Sequence, residues 1–176
     1  RCQIPYSKNN SDNVMEVKHL STEEKVKNVN FSLRKGEIIG ISGLVGAGRT
    51  EMAEAIFGIR NIISGEIYIK GEKINNFSPL KIIEKGIGFV TEDRKNTGLI
   101  LERDISENIN IVDLTKMKNQ IIDEDKMFKK TKEIINALNI KYSSIVQLVK
   151  SLSGGNQQKI VIGKWLVADS DIIILD

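Results

Sequence analysis

Residues 38–51 constrain the fold more than any other part of this sequence. They begin with an apolar run, residues 38–41, which predicts a short buried strand. A glycine-rich turn, residues 43–48, comes next. Beyond Thr50, apolar residues recur at the spacing of a helix face: Met52, Ala55, Ile56 and Ile59. A glycine loop between a strand and a helix is typical of a phosphate-binding loop, whereas a chance cluster of glycines lacks these neighbours.

The chemistry of this loop comes from its backbone. Gly43, Gly46 and Gly48 lack a Cβ, so the chain can curl closely around an anion, and successive amides then form a concave nest. The positive end of the following helix points at the same place, and the Thr50 hydroxyl suits Mg²⁺. The pattern G-x-x-x-x-G-[K/R]-T departs from the P-loop rule only by its arginine. A turn that binds nothing is the less favoured alternative. The predicted phosphate-binding residues are Gly43, Leu44, Val45, Gly46, Ala47, Gly48, Arg49, Thr50 and Glu51.

The overall composition is that of a globular domain without a polyanionic partner. The chain has 176 residues, 40% of them hydrophobic, and a net charge of +3 with no block of like charges. We therefore expect no nucleic-acid partner. Cys2 is the only cysteine and His19 the only histidine, so neither a disulfide framework nor a metal cluster is predicted. No signal peptide or membrane-spanning run is visible, which favours a cytosolic protein.

The two ends and the changes in composition suggest a domain plan. The chain begins with arginine and ends at Asp176, directly after an apolar run, so we expect both ends to lie within a longer protein. Residues 1–13 are polar and predict a linker. Residues 14–100 are expected to form the core and residues 101–150 a mostly helical subdomain. Residues 151–176 then return to the core.

Local patterns predict further strands and helices. Residues 14–20 alternate imperfectly and predict an edge strand, while residues 29–33 alternate regularly and predict a half-buried strand. Ser78 and Pro79 form the start signal of a short helix, and Asp123 is expected to cap a longer one. Other strands are predicted at residues 66–70, 87–90 and 172–175.

A second glycine motif, Leu-Ser-Gly-Gly-Asn at residues 152–156, also precedes a predicted helix. Ser153 and the amides of Gly154 and Gly155 are suited to hold an anion at the positive end of that helix. Alone, the run Ser-Gly-Gly is a weak signal, because most such runs are simple turns. It gains weight here because it follows the phosphate loop and precedes an apolar strand that ends in Asp176.

This order of motifs resembles the ATP-binding cassette (ABC) transporter ATPases. Residues 43–50 match their Walker A motif, residues 151–159 their signature motif and residues 172–176 their Walker B strand. Glu92 lies where that family has its Q-loop glutamine. The resemblance implies an α/β fold with a P-loop (RecA-like) core of mainly parallel strands. A small antiparallel β layer and a helical subdomain would accompany this core, with the C-terminal part of the domain missing after Asp176.

Three segments narrow the resemblance to the double-cassette ATPases of simple-sugar importers (ribose, galactose, xylose), with nucleoside importers close by. These segments are residues 43–51, 91–95 and 152–159. In that subgroup the arginine-bearing loop belongs to the second, C-terminal cassette. The resemblance implies ATP and Mg²⁺ as cofactors. It implies a membrane permease, the other cassette and, indirectly, a sugar-binding protein as partners, at the cytoplasmic face of the membrane.

The resemblance also implies roles for single residues. Thr50, Glu92 and Asp176 are expected to contact Mg²⁺. The signature residues are expected to close over ATP held by the other cassette; they are Ser153, Gly154, Gly155 and Asn156. The family's catalytic glutamate would follow Asp176, so no catalytic residue is assigned in this segment. We therefore expect the segment alone to be inactive as an ATPase.

Because of three departures from the family pattern, a cassette that has lost catalytic activity is kept as an alternative. Arg49 replaces a compact lysine, Glu92 replaces a neutral amide, and no aromatic residue lies between Leu20 and Val29 to stack on adenine. A regulatory or scaffolding nucleotide-binding module is therefore the second hypothesis. A soluble ABC ATPase that acts on ribosomes or DNA is the third, and the absence of a basic tract argues against it.

Overall fold

A computed structural model describes residues 13–116 and 123–176, which form two compact units, one up to Lys85 and one from Gly86 onward. Of the predicted linker, only Asn13 is among the described residues; Cys2 also lies outside them. The strands are β1 Asn13–Ser21, β2 Val29–Arg34, β3 Ser64–Ile69, β4 Glu72–Lys73, β5 Ile87–Val90 and β6 Ile172–Leu175. The α-helices are α1 Arg49–Phe57, α2 Pro79–Glu84, α3 Ile105–Lys116, α4 Glu124–Ala137 and α5 Gly154–Val167. A π-helix spans Arg94–Gly98 and a short 3-10 helix spans Val149–Ser151.

The first unit contains an antiparallel sheet with the strand order β2-β1-β3-β4. β1 is therefore an inner strand, and the edge position predicted for residues 14–20 is wrong. The imperfect alternation has another cause: the register shifts near His19, whose φ of 53° is left-handed. Met15, Val17 and Leu20 are buried on this strand. The half-buried strand predicted at residues 29–33 is confirmed as β2, at the sheet edge.

Gly65 lies where β3 passes closest to the irregular part of β1. Its φ is 108°, and a Cβ at this position would lie 2.6 Å from the Leu20 Cα and 2.7 Å from the His19 carbonyl oxygen. We expect Gly65→Ala to lower the free energy of unfolding by about 3 kcal/mol, because backbone strain and overpacking add. Gly71→Ala is the matched control, since Gly71 has a φ of 81° but open space around it. Urea unfolding that shows equal losses for both variants would rule out the steric contribution.

The apolar run at residues 38–41 is not a strand, which corrects the sequence prediction. Among the described residues no strand pairs with it, and Ile38 is 80% exposed. A run of this kind becomes a buried strand only where neighbouring backbone satisfies its amides and carbonyls, which periodicity alone does not supply. The helix predicted next is confirmed as α1. It ends at Gly58, whose φ of 82° suits a left-handed cap, so Ile59 lies beyond it.

The second unit combines a parallel strand pair with helices. β5 is buried along its whole length and pairs with β6, with Ile87 opposite Ile172 and Val90 opposite Leu175. α3, α4 and α5 pack against one another, and α5 also packs on β5. A Cβ on Gly88 would lie 2.9 Å from the Trp165 ring, so a glycine is needed where α5 lies on β5.

The helix start signals are confirmed. The Ser78 hydroxyl accepts a bond from the Lys81 amide with Pro79 as the first helical residue, and an Asp123 carboxylate oxygen accepts from the Lys126 amide at 3.0 Å. The α/β class is also confirmed. Within the described ranges, the antiparallel sheet has four strands and the parallel pair two, and residues 38–41 join neither. No helix within the described ranges is long and apolar enough to span a bilayer.

Candidate nucleotide-binding site

The glycine loop of the first unit contains two residues with left-handed backbone. Gly46 has a φ of 78° and Gly48 a φ of 90°, a region that residues with a Cβ avoid. The Ala47 amide donates to the Leu44 carbonyl at 3.0 Å, which closes a tight turn before α1. A Cβ on Gly48 would lie 3.0 Å from the Lys25 Cβ. Glycine at position 48 is therefore required both by the backbone conformation and by a close neighbour.

The loop is open to solvent at the positive end of α1. Residues 43–47 and Arg49 are exposed, Val45 by 98%, while Thr50 is half-buried in the first helical turn. The first amides of a helix have no intrahelical acceptor, and its dipole favours negative charge. An exposed glycine turn that leads into α1 therefore fits the phosphates of a nucleotide.

Lys25 contacts this region although no sequence motif indicates it. Its Nζ donates to the Glu51 carboxylate at 2.6 Å. The bond lowers the pKa of Glu51 and raises the pKa of Lys25. The pair ties the segment between β1 and β2 to the first turn of α1. Because the two residues are 26 positions apart, only the tertiary fold reveals the contact.

In the second unit, Glu92 and Asp176 lie at the same edge of the parallel pair. The Asp176 amide donates to the Val90 carbonyl at 2.9 Å, so the chain leaves β6 beside the end of β5. Both acidic residues are exposed and follow the carboxyl ends of adjacent parallel strands, the edge where α/β sheets bind ligands. Contact of these two residues with Mg²⁺ stays a prediction. Thr50, the third predicted ligand, belongs to the first unit.

The Glu92 and Asp176 carboxylates fit a magnesium ion that is bound together with a phosphate ligand. No cluster of three or more His, Cys, Asp or Glu residues that could hold a metal occurs within residues 13–116 and 123–176. Mg²⁺ commonly uses one or two carboxylates, waters and substrate phosphates in place of an all-protein cage. Within the second unit, Glu92 and Asp176 supply carboxylate oxygens of that kind, and within the first unit Thr50 supplies a hydroxyl.

The predicted signature residues form the exposed start of α5. Ser153 is the N-cap, and Ser153, Gly154 and Gly155 are exposed. The Asn156 side-chain amide makes two hydrogen bonds. Its Nδ2 donates to the Ser153 Oγ at 3.1 Å, and its Oδ1 accepts from the Lys141 backbone amide at 3.1 Å. Asn156 therefore shapes the cap, and its contact with ATP stays a prediction.

Sequence reasoning did not select Lys164, a buried lysine on α5. It is 9% exposed, and its Nζ donates to the Gly98 carbonyl at 2.6 Å and lies 5.4 Å from the centre of the Trp165 ring. Burial lowers the pKa of Lys164 to about 8. A detectable signal was present in the sequence, since Lys164 follows Ile160 by four positions and precedes Val167 by three, within the apolar face of a helix.

The lowered pKa of Lys164 predicts a pH-dependent stability. Between pH 8 and the ordinary value of 10.5, the unfolded chain holds the proton that the folded protein has released. The unfolded state therefore binds more protons, and stability rises with pH across this window. We expect the free energy of unfolding of the wild type, relative to Lys164→Met, to increase by about 2 kcal/mol between about pH 7 and pH 9.5.

Urea unfolding of both proteins at several pH values measures this difference. Lys150→Met is the matched control, because Lys150 is an exposed lysine of the same unit, paired with Glu102 at 2.6 Å. That variant is expected to keep the pH dependence of the wild type. Parallel curves for the wild type and Lys164→Met would show that Lys164 does not titrate in this window.

Residues 26–176 match the family model described as ABC transporter, and the chain therefore belongs to the ABC transporter family. The resemblance inferred from the order of the motifs is thereby confirmed. The family binds ATP and generally uses Mg²⁺.

Solved cassettes share the fold of this chain. One is the cassette MJ0796 in a dimeric post-hydrolysis state bound to ADP and Pi, with 24% identity and a TM-score of 0.77. That match covers 92% of this chain and 73% of the other. For cbiO1 from Clostridium perfringens, part of the cbiONQ complex, the identity is 23%, the TM-score 0.75, and the coverage 94% and 65%.

Two relatives of higher identity are import ATP-binding proteins for ribose and for galactose or methyl galactoside. The ribose import ATP-binding protein RbsA of Clostridium tetani is 45% identical, over 99% of this chain and 35% of the relative. The galactose/methyl galactoside import ATP-binding protein MglA of Clostridium perfringens is 44% identical, over 94% of this chain and 33% of the relative. The chain thus spans about a third of the length of these relatives.

Proposed function

We propose that this chain is an ATP-binding cassette that couples ATP hydrolysis to the import of a simple sugar. The observation that carries the proposal is the exposed glycine turn with left-handed Gly46 and Gly48 at the start of α1. The printed names of the relatives, ribose and galactose import ATP-binding proteins, support the sugar. A nucleoside of related chemistry is the alternative cargo.

Each element of the site has a role in this proposal. The loop Gly43–Glu51 binds the phosphates through backbone amides, and Arg49 adds a positive charge. Thr50 of the first unit and Glu92 and Asp176 of the second would supply oxygen ligands to Mg²⁺, and the ion would supply positive charge to the phosphates during transfer to water. Ser153, Gly154, Gly155 and Asn156 close over ATP bound by a second cassette. Residues 14–100 and 151–176 serve as the ATP-binding core and residues 101–150 as the helical subdomain.

The partners follow from the same proposal. A cassette of this kind works with membrane permease subunits and a second cassette at the cytoplasmic face of the membrane, and a sugar-binding protein delivers the cargo. No nucleic-acid partner is proposed. The net charge of +3 without a basic tract is consistent with that assignment.

The proposal is tested by calorimetry of Mg²⁺–ATP binding and by phosphate release from the full-length protein in its transport assembly. We expect saturable ATP binding, and hydrolysis that a transported sugar stimulates. Sugar-independent hydrolysis, or stimulation by nucleosides alone, would reject the sugar importer. Absence of ATP binding would reject the whole proposal.

Binding of ATP with little turnover is a second candidate function, and Arg49 favours it. The guanidinium is planar and wider than the ammonium of the usual lysine, and the Arg49 side chain is exposed at the first position of α1. Hydrolysis measured after each cassette of the full-length protein is disabled in turn separates the two candidates. The regulatory alternative predicts that loss of this cassette's own phosphate loop leaves most of the activity.

A further inference from the structure

The segment that follows Glu92 is tightly folded. It forms the π-helix Arg94–Gly98, a rare conformation that is frequent at functional sites. Asp93 caps it: one carboxylate oxygen accepts from the amides of Lys95 and Asn96, each at 3.2 Å. The Thr97 hydroxyl donates to the Asp93 carbonyl at 2.7 Å. The Arg94 amide also donates to the Glu92 carbonyl at 3.1 Å, so the π-helix is joined to the backbone of Glu92 as well as to Asp93.

Two cationic side chains attach this π-helix to α5. At its first residue, the Arg94 Nε donates to the Gln157 Oε1 at 3.4 Å. At its last residue, the Gly98 carbonyl accepts from the Lys164 Nζ at 2.6 Å. The two contacts lie at opposite ends of the π-helix, and they reach α5 near its start and near its end. Together they join both ends of the π-helix to α5.

Both attachments are built into the interior. Gln157 is 5% exposed, and its own Nε2 donates to the Val149 carbonyl at 3.2 Å. Lys164 is nearly as buried, and a buried ammonium is costly unless it is hydrogen-bonded. An apolar residue of similar length would fill the same space without that cost. The hydrogen bond from Lys164 to the Gly98 carbonyl therefore explains why a lysine occupies this buried position.

Glycines allow the close approach at each attachment. A Cβ on Gly154 would lie 2.8 Å from an Arg94 guanidinium nitrogen, and a Cβ on Gly98 would lie 3.2 Å from a Val161 methyl. Arg94 also places a positive charge at the positive end of α5, where the helix dipole disfavours it. Stabilisation of the helix does not explain this position, whereas attachment of the π-helix does.

We propose that Arg94 and Lys164 are positioning residues that make Glu92 and the Ser153 end of α5 move as one body. The inference rests on the proposed function, in which Glu92 contacts Mg²⁺ and α5 contacts the nucleotide of a second cassette. Through the two attachments, a shift of α5 on nucleotide contact displaces the Glu92 carboxylate. Neither cation needs to touch the nucleotide for this effect.

The attachment itself is tested by hydrogen exchange in the full-length protein without nucleotide. Arg94→Met and Lys164→Met are each expected to speed exchange of the amides of residues 94–98 about tenfold, while amides of α4 in the same unit keep their rates. Lys164→Arg should restore slow exchange. The matched controls Arg103→Met and Lys150→Met remove exposed cations of the same unit and should change nothing. Unchanged exchange in residues 94–98, or equal acceleration in α4, overturns the proposal.

The link to Glu92 is tested by the Mg²⁺ dependence of ATP hydrolysis in the transport assembly. Arg94→Met and Lys164→Met are expected to raise the Mg²⁺ concentration for half-maximal rate about tenfold, with the KM for ATP changed by less than about threefold. Lys164→Arg should recover the wild-type requirement. If the variants exchange the amides of residues 94–98 faster but keep the wild-type Mg²⁺ requirement, the positioning role is overturned. A wild-type protein that binds no ATP contradicts the proposed function instead, and the exchange result then decides the attachment alone.

Discussion

Gly48→Val is expected to lower the affinity for Mg²⁺–ATP by at least about 100-fold, a loss of about 3 kcal/mol of binding free energy. Two effects act together at this position. The φ of 90° is unfavourable for a β-branched residue, and a new Cβ would meet the Lys25 Cβ at 3.0 Å. Either the loop changes its conformation or the segment at Lys25 moves, and both disturb the backbone that approaches the phosphates.

Isothermal titration calorimetry measures this loss, with circular dichroism as the check on folding. Gly40→Ala is the matched control, because Gly40 precedes the loop, has no left-handed φ and has open space around its Cα. That variant is expected to bind ATP like the wild type. If Gly48→Val is folded and binds with unchanged affinity, the glycine loop is not the phosphate site.

Ser153→Arg is expected to lower transport-coupled hydrolysis by at least about 100-fold, as the loss of a principal charge-stabilising donor does. Ser153 is the exposed N-cap of α5, and its hydroxyl accepts from Asn156. Arginine would remove the hydroxyl that accepts from Asn156 and fill the position predicted for a γ-phosphate. It would also add a second guanidinium beside Arg94, which already lies against Gly154. The positive end of the helix would then bind its anion poorly.

The loss of hydrolysis in Ser153→Arg is to be compared with the loss in Arg49→Ala. Arg49 is exposed on α1. If this cassette turns over little ATP itself and its signature residues complete the site of the other cassette, loss of Arg49 is expected to do less harm than Ser153→Arg. Both variants are measured in reconstituted vesicles with the permease, the other cassette and the sugar-binding protein. Ser143→Arg, an exposed position of the same unit, controls for the added charge. Greater damage from Arg49→Ala would make this phosphate loop a principal catalytic site and reject the second candidate function, ATP binding with little turnover.

Local signals in the sequence predicted most of the elements correctly. The caps at Ser78 and Asp123, the helix after the glycine loop and the strands β5 and β6 depend on side-chain chemistry and apolar spacing within a few residues. The edge position of β1 was wrong because strand order is not a local property. The register shift near His19 weakened the alternation that an inner strand would otherwise show.

In the candidate site, too, local sequence patterns indicated some features and only the tertiary structure showed the others. The order of the motifs was sufficient to indicate the family. The tertiary structure then brought Glu92 and Asp176 to one edge of the sheet through the parallel pairing of β5 with β6. The sequence did not indicate the cations at Lys25 and Lys164. Lys25 reaches Glu51 across 26 positions and Lys164 reaches Gly98 across 66.

By itself, the sequence determined the glycine loop, the helix caps, the signature motif and the family, because each of these depends on residue types at short, fixed spacings. Only the tertiary structure decided that residues 38–41 are exposed and pair with no strand of the described part of the chain, and that β1 lies inside its sheet. It also decided that a lysine of α5 is buried against the π-helix after Glu92. These features depend on which segments meet in space, and a hydrogen bond between distant residues leaves no periodic trace along the chain.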